Sequence, residues 1–286
     1  MARKKFILNV DDFGISKSTN RAVLEAYEAG ILKSVSLLPN GKAFDEAVNN
    51  ILPSCPELGV GVHLNLTDGI SQCLDIDSLI DDKGVFKNSY WKLLLKAYNP
   101  REKSFKEDVE REFRRQIEKV MSKTKVSHID SHEHIHSIPP IFEIVCKLAQ
   151  EYGIKQVRTH FEKFYFAPDL YKHLKLQYFI NLFRTFIFGL FTLINEGKIK
   201  KYELETNDYI VGIIYGSLMD ALVISFGVMA IKYDNSVVEA IIHPRRYEEG
   251  TIDKHFNEYL LAKNKKLKDK IERLGYEITN YVKKES

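Results

Sequence analysis

The sequence is poor in cysteine, in net charge and in long hydrophobic runs. Its 286 residues include only three cysteines, and none of them belongs to a CxxC pair. This argues against a disulfide framework and against a cysteine-based metal site. The 42 basic and 39 acidic residues leave a net charge of only +3. A nucleic-acid partner is therefore not expected, because such proteins usually present a strongly basic face.

The N-terminus lacks a secretory signal pattern. The apolar run Phe6–Val10 is too short for a signal-peptide core and leads directly into acidic residues. Few cysteines also fit a reducing compartment. With 44% hydrophobic and 28% charged residues, the composition is that of an ordered globular protein. These features together predict a cytoplasmic protein.

Short apolar runs alternate with helical segments along most of the chain. The predicted strands are Phe6–Val10, Ser34–Leu38, Leu58–Leu66, His128–His132, Gln156–Thr159, Val237–His243 and Tyr276–Tyr281. The predicted helices are Ser18–Ala29, Ala43–Ile51, Lys106–Ser122, Pro140–Tyr152 and Asp253–Leu274. Repeated strand–helix units favour a parallel sheet or barrel. We predict one α/β domain over residues 1–286, with an irregular connection at 67–100.

Residues 161–207 interrupt this alternation and are predicted to form an apolar helical insertion. Within it, Phe179–Asn195 is near the lower length limit for a membrane span and contains Arg184. A second apolar stretch follows at Tyr209–Ile231. We interpret the two stretches as a pair of buried helices, and the alternative is a surface helix that touches lipid or covers the active site. The barrel, a second subunit of a homodimer or an acyl chain could cover such a surface.

Two adjacent carboxylates, Asp11 and Asp12, end the first predicted strand. In parallel α/β folds, ligands bind beyond the carboxyl ends of strands. Neighbouring strand residues point to opposite faces, so one carboxylate could bind a metal while the other accepts a proton. Taken alone, the pair is explained as well by a turn that caps the following helix.

Histidines also lie at predicted strand ends. His63 ends the third strand, and Asn65 and Thr67 share its parity and could line the same pocket. Residues 128–136 read HIDSHEHIH, with four histidines in nine residues. Alternation places His128, Asp130 and His132 on one face. Imidazole and carboxylate groups are the usual ligands of catalytic divalent metals, but the pattern leaves open which histidines bind the metal.

Two residues complete this group of candidates. Asp130 could orient a ligand histidine through a hydrogen bond. His243 ends the late strand and could act as a general acid, or it could simply be held by the turn at Pro244. The histidines at 134 and 136 could bond the backbone or the substrate.

These motifs resemble those of the YdjC-like carbohydrate deacetylases, a family that includes the chitooligosaccharide deacetylases. Residues 9–14, NVDDFG, resemble the NADDFG signature of that family. The further matches are Pro39-Asn40-Gly41, GVHLNLT at 61–67, HIDSHEHIH at 128–136 and Ile242-His243-Pro244. They follow the family order over nearly the whole chain. Arg245 departs from the pattern, since the family has glycine there, and the apolar insertion is similar to the hopanoid-biosynthesis-associated branch.

The resemblance implies a distorted (β/α) TIM-like barrel that binds one divalent metal ion, magnesium or zinc. Carried over by position, the metal ligands are Asp12, His63 and His132. Asp11 would deprotonate the metal-bound water, and His243 would protonate the leaving amine or steady the oxyanion. We assign Asp130 to the support of a ligand, and we assign four residues to substrate binding: Asn40, Asn65, Thr67 and Arg158.

The implied reaction is removal of the N-acetyl group from an acetylated amino sugar, either an oligosaccharide or a lipid-linked sugar. Two other functions remain open. One is a different metal-dependent barrel reaction, such as sugar isomerisation or phosphoester hydrolysis. The other is sugar or lipid binding without catalysis, and the presence of all five site residues argues against it. Peripheral membrane contact through residues 179–195 is an additional hypothesis.

Overall fold

The computed structural model describes residues 4–168, 171, 174–231, 235–247 and 253–281. The strands are β1 (Lys4–Phe13), β2 (Ser34–Leu37), β3 (Gly59–Leu64), β4 (Val126–Ser131), β5 (Gln156–Val157), β6 (Tyr209–Val211), β7 (Val237–Ile242) and β8 (Tyr276–Ile278). The helices are α1 (Lys17–Glu28), α2 (Phe44–Glu46), α3 (Tyr90–Tyr98), α4 (Phe105–Met121), α5 (Pro139–Glu151), α6 (Leu176–Lys201), α7 (Ala221–Met229), α8 (Lys254–Ala262) and α9 (Lys265–Arg273). A π-helical turn, Ala47–Ile51, continues α2.

The strands form one parallel sheet in the order β5-β4-β3-β2-β1-β7-β6. Strand β8 pairs with the beginning of β1, while β2 pairs with its end. Strands β2 and β3 are buried along their full length, as expected for a parallel sheet that is covered on both faces. All strand ends that carry the predicted site residues therefore lie at one edge of the sheet.

The sheet is strongly curled into a barrel, as the contacts of Arg158 across it demonstrate. Arg158 follows β5, yet it bonds Asp11 of β1 and Glu239 of β7. In a flat sheet, β5 and β7 would be separated by five strand spacings, about 24 Å. The two edges also meet directly, because Val157 N–H donates to Glu205 and Ile210 N–H donates to Phe161. The predicted distorted TIM-like barrel is confirmed.

Helices α4 and α5 cover the outer face near β3 and β4. The buried residues of α4 recur at helical spacing, which gives the helix one apolar face against the barrel. That face contains Phe105, Val109, Phe113, Ile117 and Val120. The helix ends directly before β4, so its last residues lie at the rim opposite the predicted site.

Three predicted elements differ from the structure. The 67–100 connection contains α3, which was not predicted. The stretch 209–231 contains β6 and then α7, because Asp220 caps α7 by accepting from two backbone N–H groups; the prediction of a buried helix pair was wrong. The long helix predicted at 253–274 is two helices, and Asn264 caps the second one.

The insertion at 161–207, described except for residues 169–170 and 172–173, contains the 26-residue helix α6. Four buried residues form a narrow stripe along this helix: Tyr178, Asn181, Phe188 and Asn195. By length and composition alone, α6 could cross a membrane: an 18-residue window within it has a mean hydropathy of 1.3, and 22% of that window is buried. The helix packs along this stripe against the barrel, and half of its residues are exposed to solvent.

Candidate metal centre and active site

Three side chains from three strand ends converge on one point. Asp12 Oδ1 lies 2.7 Å from His132 Nδ1 and 3.3 Å from His63 Nε2. The candidate ligand atoms of all three residues lie within 4.8 Å of one another. Two imidazoles and one carboxylate are a typical donor set for zinc and related divalent ions, so these residues fit a divalent metal.

His63 is oriented by a second carboxylate. Its Nδ1 lies 2.8 Å from Asp130 Oδ1, which leaves Nε2 facing Asp12. Carboxylate–histidine pairs of this kind fix the ring and its tautomer at metal sites. Burial lowers the pKa of His63, but the charges of Asp130 and Asp11 outweigh this effect and raise that pKa to about 10. A metal bound at Nε2 would displace this proton, because a ligand histidine is neutral. The contact with Nδ1 places Asp130 to orient His63.

Backbone strain marks the two segments that carry Asp12 and His132. Asp12 has a φ of 62°, and Glu133 and His134 have φ values of 51° and 59°. Left-handed backbone is costly for such residues and often occurs at functional sites. The pairing of β1 with β2 also shifts register between Val10 and Phe13. Both features turn Asp12 inwards, so the expectation that Asp11 and Asp12 point to opposite faces was wrong.

Asp11 lies beneath this point and is held by Arg158. Two guanidinium nitrogens of Arg158 donate to the two Asp11 oxygens, each at 2.8 Å. The same guanidinium bonds Glu239 at 2.6 Å and lies 2.7 Å from Asp130. Burial raises the pKa of Asp11, but the charge of Arg158 outweighs it and lowers that pKa below the ordinary value. Asp11 is therefore ionised at neutral pH.

Arg158 is fully buried, with 0% of its surface exposed, and it does not line the cavity above the strand ends. A substrate cannot reach it, so the prediction that Arg158 binds substrate was wrong. Its role is to hold the carboxylates of β1, β4 and β7 together. Sequence reasoning missed Glu239, although a glutamate within the apolar run VVEAII was a signal of a buried charge partner.

His243 lies on the other side of Asp11, with 3.9 Å between its Nε2 and Asp11 Oδ2. Its Nδ1 lies 3.8 Å from Glu258 Oε2, and its backbone N–H donates to the same carboxylate. Burial lowers the pKa of His243, but the Glu258 contact and the charge of Asp11 raise it to about 9. His243 is thus protonated at neutral pH. Glu258 was not predicted, because its contact with His243 depends on how helix α8 packs against the barrel.

A cavity of about 340 Å³ opens above these groups. It contains all five predicted catalytic and ligand residues: Asp11, Asp12, His63, His132 and His243. Helix α6 contributes Gln177, Asn181 and Arg184 to its wall. Asn181 also donates to the backbone oxygens of Ile214 and Gly216, which ties the helix to the opposite rim of the cavity.

The structure does not bring Asn40, Asn65 and Thr67 into this cavity. Asn65 instead donates to Asn40 Oδ1 at 3.0 Å and to the Asp68 backbone, and it accepts from Thr67. Asn40 donates to the backbone of Asp68 and Ile70. These residues stabilise the loop that follows β3.

The other histidines of the cluster have structural contacts. His128 is stacked on Tyr281 with 4.1 Å between ring centres, and any side chain at Gly61 would collide with it, 2.4 Å from its ring. His136 bonds Ser131 and the backbone oxygen of Arg158. His134 lies 3.1 Å from His160 and lines the cavity. Only His132 of the four therefore joins the ligand group.

The model of the YdjC-like protein family matches residues 5–273 of this chain. The chain belongs to the YdjC-like family. Similar curated proteins include a carbohydrate deacetylase from Brevibacillus brevis, 40% identical over 151 residues, which are 52% of this chain and 57% of that protein. A carbohydrate deacetylase from Halalkalibacterium halodurans is 39% identical over 158 residues, 55% of this chain and 64% of its own length. The matched segment thus spans little more than half of these relatives.

Two solved structures share the fold of this YdjC-like chain. A protein from Enterococcus faecalis V583, provisionally named for cellobiose-phosphate cleavage, superposes with a TM-score of 0.72 at 23% identity over 98% of both chains. An uncharacterised protein from Agrobacterium tumefaciens C58 has a TM-score of 0.53 at 10% identity, covering 98% of this chain and 88% of that one. At such identities the likeness concerns the fold alone.

Proposed function

We propose that this protein is a metal-dependent hydrolase that removes the acetyl group from an N-acetylated amino sugar. The observation that carries the proposal is the convergence of Asp12, His63 and His132 in one cavity with Asp11 and His243. The names of the curated relatives support a carbohydrate substrate. Asp12, His63 and His132 would hold magnesium or zinc, which would polarise the amide carbonyl and lower the pKa of a water molecule.

Asp11 and His243 divide the proton transfers. Arg158 keeps Asp11 ionised, so Asp11 can accept a proton from the attacking water. Glu258 and Asp11 keep His243 protonated, so His243 can donate to the leaving amine or to the developing oxyanion. Two neighbouring groups whose environments push their pKa values apart are the arrangement expected of a base and an acid.

The experiment measures acetate release from acetylated chitobiose by enzyme that has been stripped with a chelator. We expect no release without metal and recovery on addition of zinc or magnesium. His132→Ala should lose metal content together with activity. Acetate release that is unaffected by complete metal removal would contradict the proposal, and sugar isomerisation or phosphate release would favour another barrel reaction.

Asp11→Asn separates the base from the metal ligands. The amide keeps an oxygen that can accept from Arg158, but it cannot take up a proton. We expect kcat to fall by about 10²–10⁴-fold, with metal content unchanged by elemental analysis. Loss of the metal, or a wild-type rate, would show that Asp11 has a different role.

A further inference from the structure

A second cavity, of about 280 Å³, lies between α3 and α6. Most of its wall is aromatic or aliphatic: Tyr90, Trp91, Ile180, Phe183, Ile187 and Phe188. The Trp91 and Phe183 rings face each other across it at 6.3 Å, and Tyr90 contacts Phe188 at 5.5 Å. We call this cavity the α3–α6 groove. Its composition suits an apolar ligand.

The groove adjoins the active-site cavity. Glu133 and Arg184 line both, and Glu133 directly follows the candidate ligand His132. Phe188 forms the floor of the groove and contacts His134, a wall residue of the active site, at 5.5 Å. A ligand could therefore have a polar part among the catalytic groups and an apolar part in the groove, with the Glu133–Arg184 boundary between them.

Outside the groove, the apolar surface continues along both helices. On α3, Trp91 and Leu95 are 47% and 73% exposed. On α6 the large exposed residues are Leu176, Phe179, Ile180, Phe183, Phe186, Leu190, Leu193 and Ile194. A sugar chain needs hydrogen-bonding partners along its length, and this surface offers few. Its position beside the catalytic cavity favours a hydrocarbon part of the substrate over a second protein copy.

We propose that the α3–α6 groove binds the hydrocarbon chain of an amphiphilic substrate, an acetylated amino sugar joined to a lipid. This inference rests on the proposed deacetylase function and names its substrate class. The acetamido group lies at Asp12, His63 and His132, and the chain leaves past Glu133 and Arg184 into the groove. The exposed face of α6 then contacts the lipid phase from which the substrate comes.

The single tryptophan of the chain gives a test that does not need catalysis. Trp91 lies in the groove, so its fluorescence should shift to shorter wavelength when the dodecyl glycoside of N-acetylglucosamine is added below its micelle concentration. The methyl glycoside should cause no shift. Phe183→Ser should weaken the dodecyl titration by roughly tenfold, the worth of about two buried methylene groups. Met121→Ser, at the opposite rim and 41% exposed, is the matched control and should leave the titration unchanged.

The same two glycosides are then compared as substrates by acetate release. We expect kcat/KM for the dodecyl compound to exceed that for the methyl compound by about tenfold or more. The ratio should approach one in Phe183→Ser and stay at the wild-type value in Met121→Ser. Circular dichroism checks that both variants are folded, which is expected because both positions are exposed.

The outcomes separate the two proposals. A fluorescence shift without acetate release from either glycoside would contradict the deacetylase function and leave the groove as a hydrocarbon site. Acetate release with equal kcat/KM for both glycosides, and no shift, would overturn the groove proposal alone. If Phe186→Ser converts a dimer into a monomer in sedimentation velocity, the α6 face is an interface between copies, and the proposal is likewise overturned.

Discussion

The buried charged groups at the strand ends and helix α6 lie beside the same cavity but have opposite character. We call the first region the strand-end cluster; its members are Asp11, Asp12, His63, Asp130, His132, Arg158, Glu239 and His243. In the cluster, charged groups are buried and each has a charged partner: Arg158 alone bonds or contacts three carboxylates. On α6, large apolar side chains are exposed, and Phe186 is 69% accessible. Buried charges are costly unless they are paired, and exposed apolar patches usually mark an interaction. The first region thus fits reaction chemistry, and the second fits substrate recognition.

The difference also shows how the two regions tolerate change. The cluster takes residues from five strands, so one substitution leaves several partners unpaired. Helix α6 has only four buried residues, so its exposed positions can vary at little cost in stability. The two regions therefore differ in how much stability a single substitution is expected to cost.

The largest effect is expected from Arg158→Met, which breaks the cluster at its centre. Asp11, Asp130 and Glu239 would remain buried without their shared cation. Removing one partner of a buried ion pair costs about 3–5 kcal/mol, so the free energy of unfolding should fall by at least this amount in a denaturant titration. Arg115→Met is the control: Arg115 is 66% exposed, and its loss should change stability by about 0.5 kcal/mol or less. Equal effects would refute the structural role of Arg158.

The two regions also differ in how well sequence could predict them. Asp12, His63 and His132 were among the candidates because parallel strands carry ligand-binding residues at their carboxyl ends, and the resemblance to the family selected these three as the ligands. Because parallel strands bring their carboxyl ends to one rim, the proximity of these residues could be predicted without knowing their side-chain conformations. The partners Glu239 and Glu258 depend on barrel curvature and on the packing of α8, which periodicity does not encode. Arg158 was assigned to the substrate for the same reason, since its position after β5 says nothing about burial.

The apolar stretches show a second limit. Hydrophobicity alone did not separate α6, which is largely exposed, from the segment 209–231, which is a strand and a short helix. Asp220 was the usable signal, because it caps α7 and excludes one continuous helix. The composition of α6 was interpreted as that of a buried helix, with a surface helix as the alternative. Which of its residues form the buried stripe depends on the contacts of Phe188 with His134 and His160.

Two phenylalanines on α6 allow a buried and an exposed position of the same helix to be compared. Phe188 is 1% exposed and contacts Tyr90, His134 and His160. Phe188→Ala should therefore cost about 3–5 kcal/mol. Phe186→Ser, two residues away, should change the free energy of unfolding by about 0.5 kcal/mol or less. Chemical denaturation of both variants measures the difference, and similar losses would mean that the outer face of α6 is part of the core.

The smallest effect is expected from a substitution of Glu258, which raises the pKa of His243 at the edge of the cluster. His243 faces the acids Glu258, Asp11 and Asp12, and the cations Arg245 and Lys254 line the same cavity. His255 also lines it, and burial lowers the pKa of His255. Burial lowers the pKa of His243 as well, but the acids raise it to about 9. As a general acid, His243 works below this pKa and loses its proton as the pH rises through it, so kcat/KM should fall on the alkaline side.

Glu258→Gln removes one of these negative charges while keeping an oxygen for the His243 backbone N–H. The pKa of His243 should then fall, and the alkaline limb of the kcat/KM profile should move to lower pH. The acidic limb should stay in place, because Asp11 keeps its bonds to Arg158. Glu272→Gln makes the same change of charge on α9, beside the beginning of β8 and away from the cavity, and should leave the profile unchanged. An alkaline limb that does not move in Glu258→Gln, although the variant is folded and binds metal, would show that His243 is not the group that limits activity at high pH. The proton donor to the leaving amine would then have to be sought among the other residues of the cavity wall.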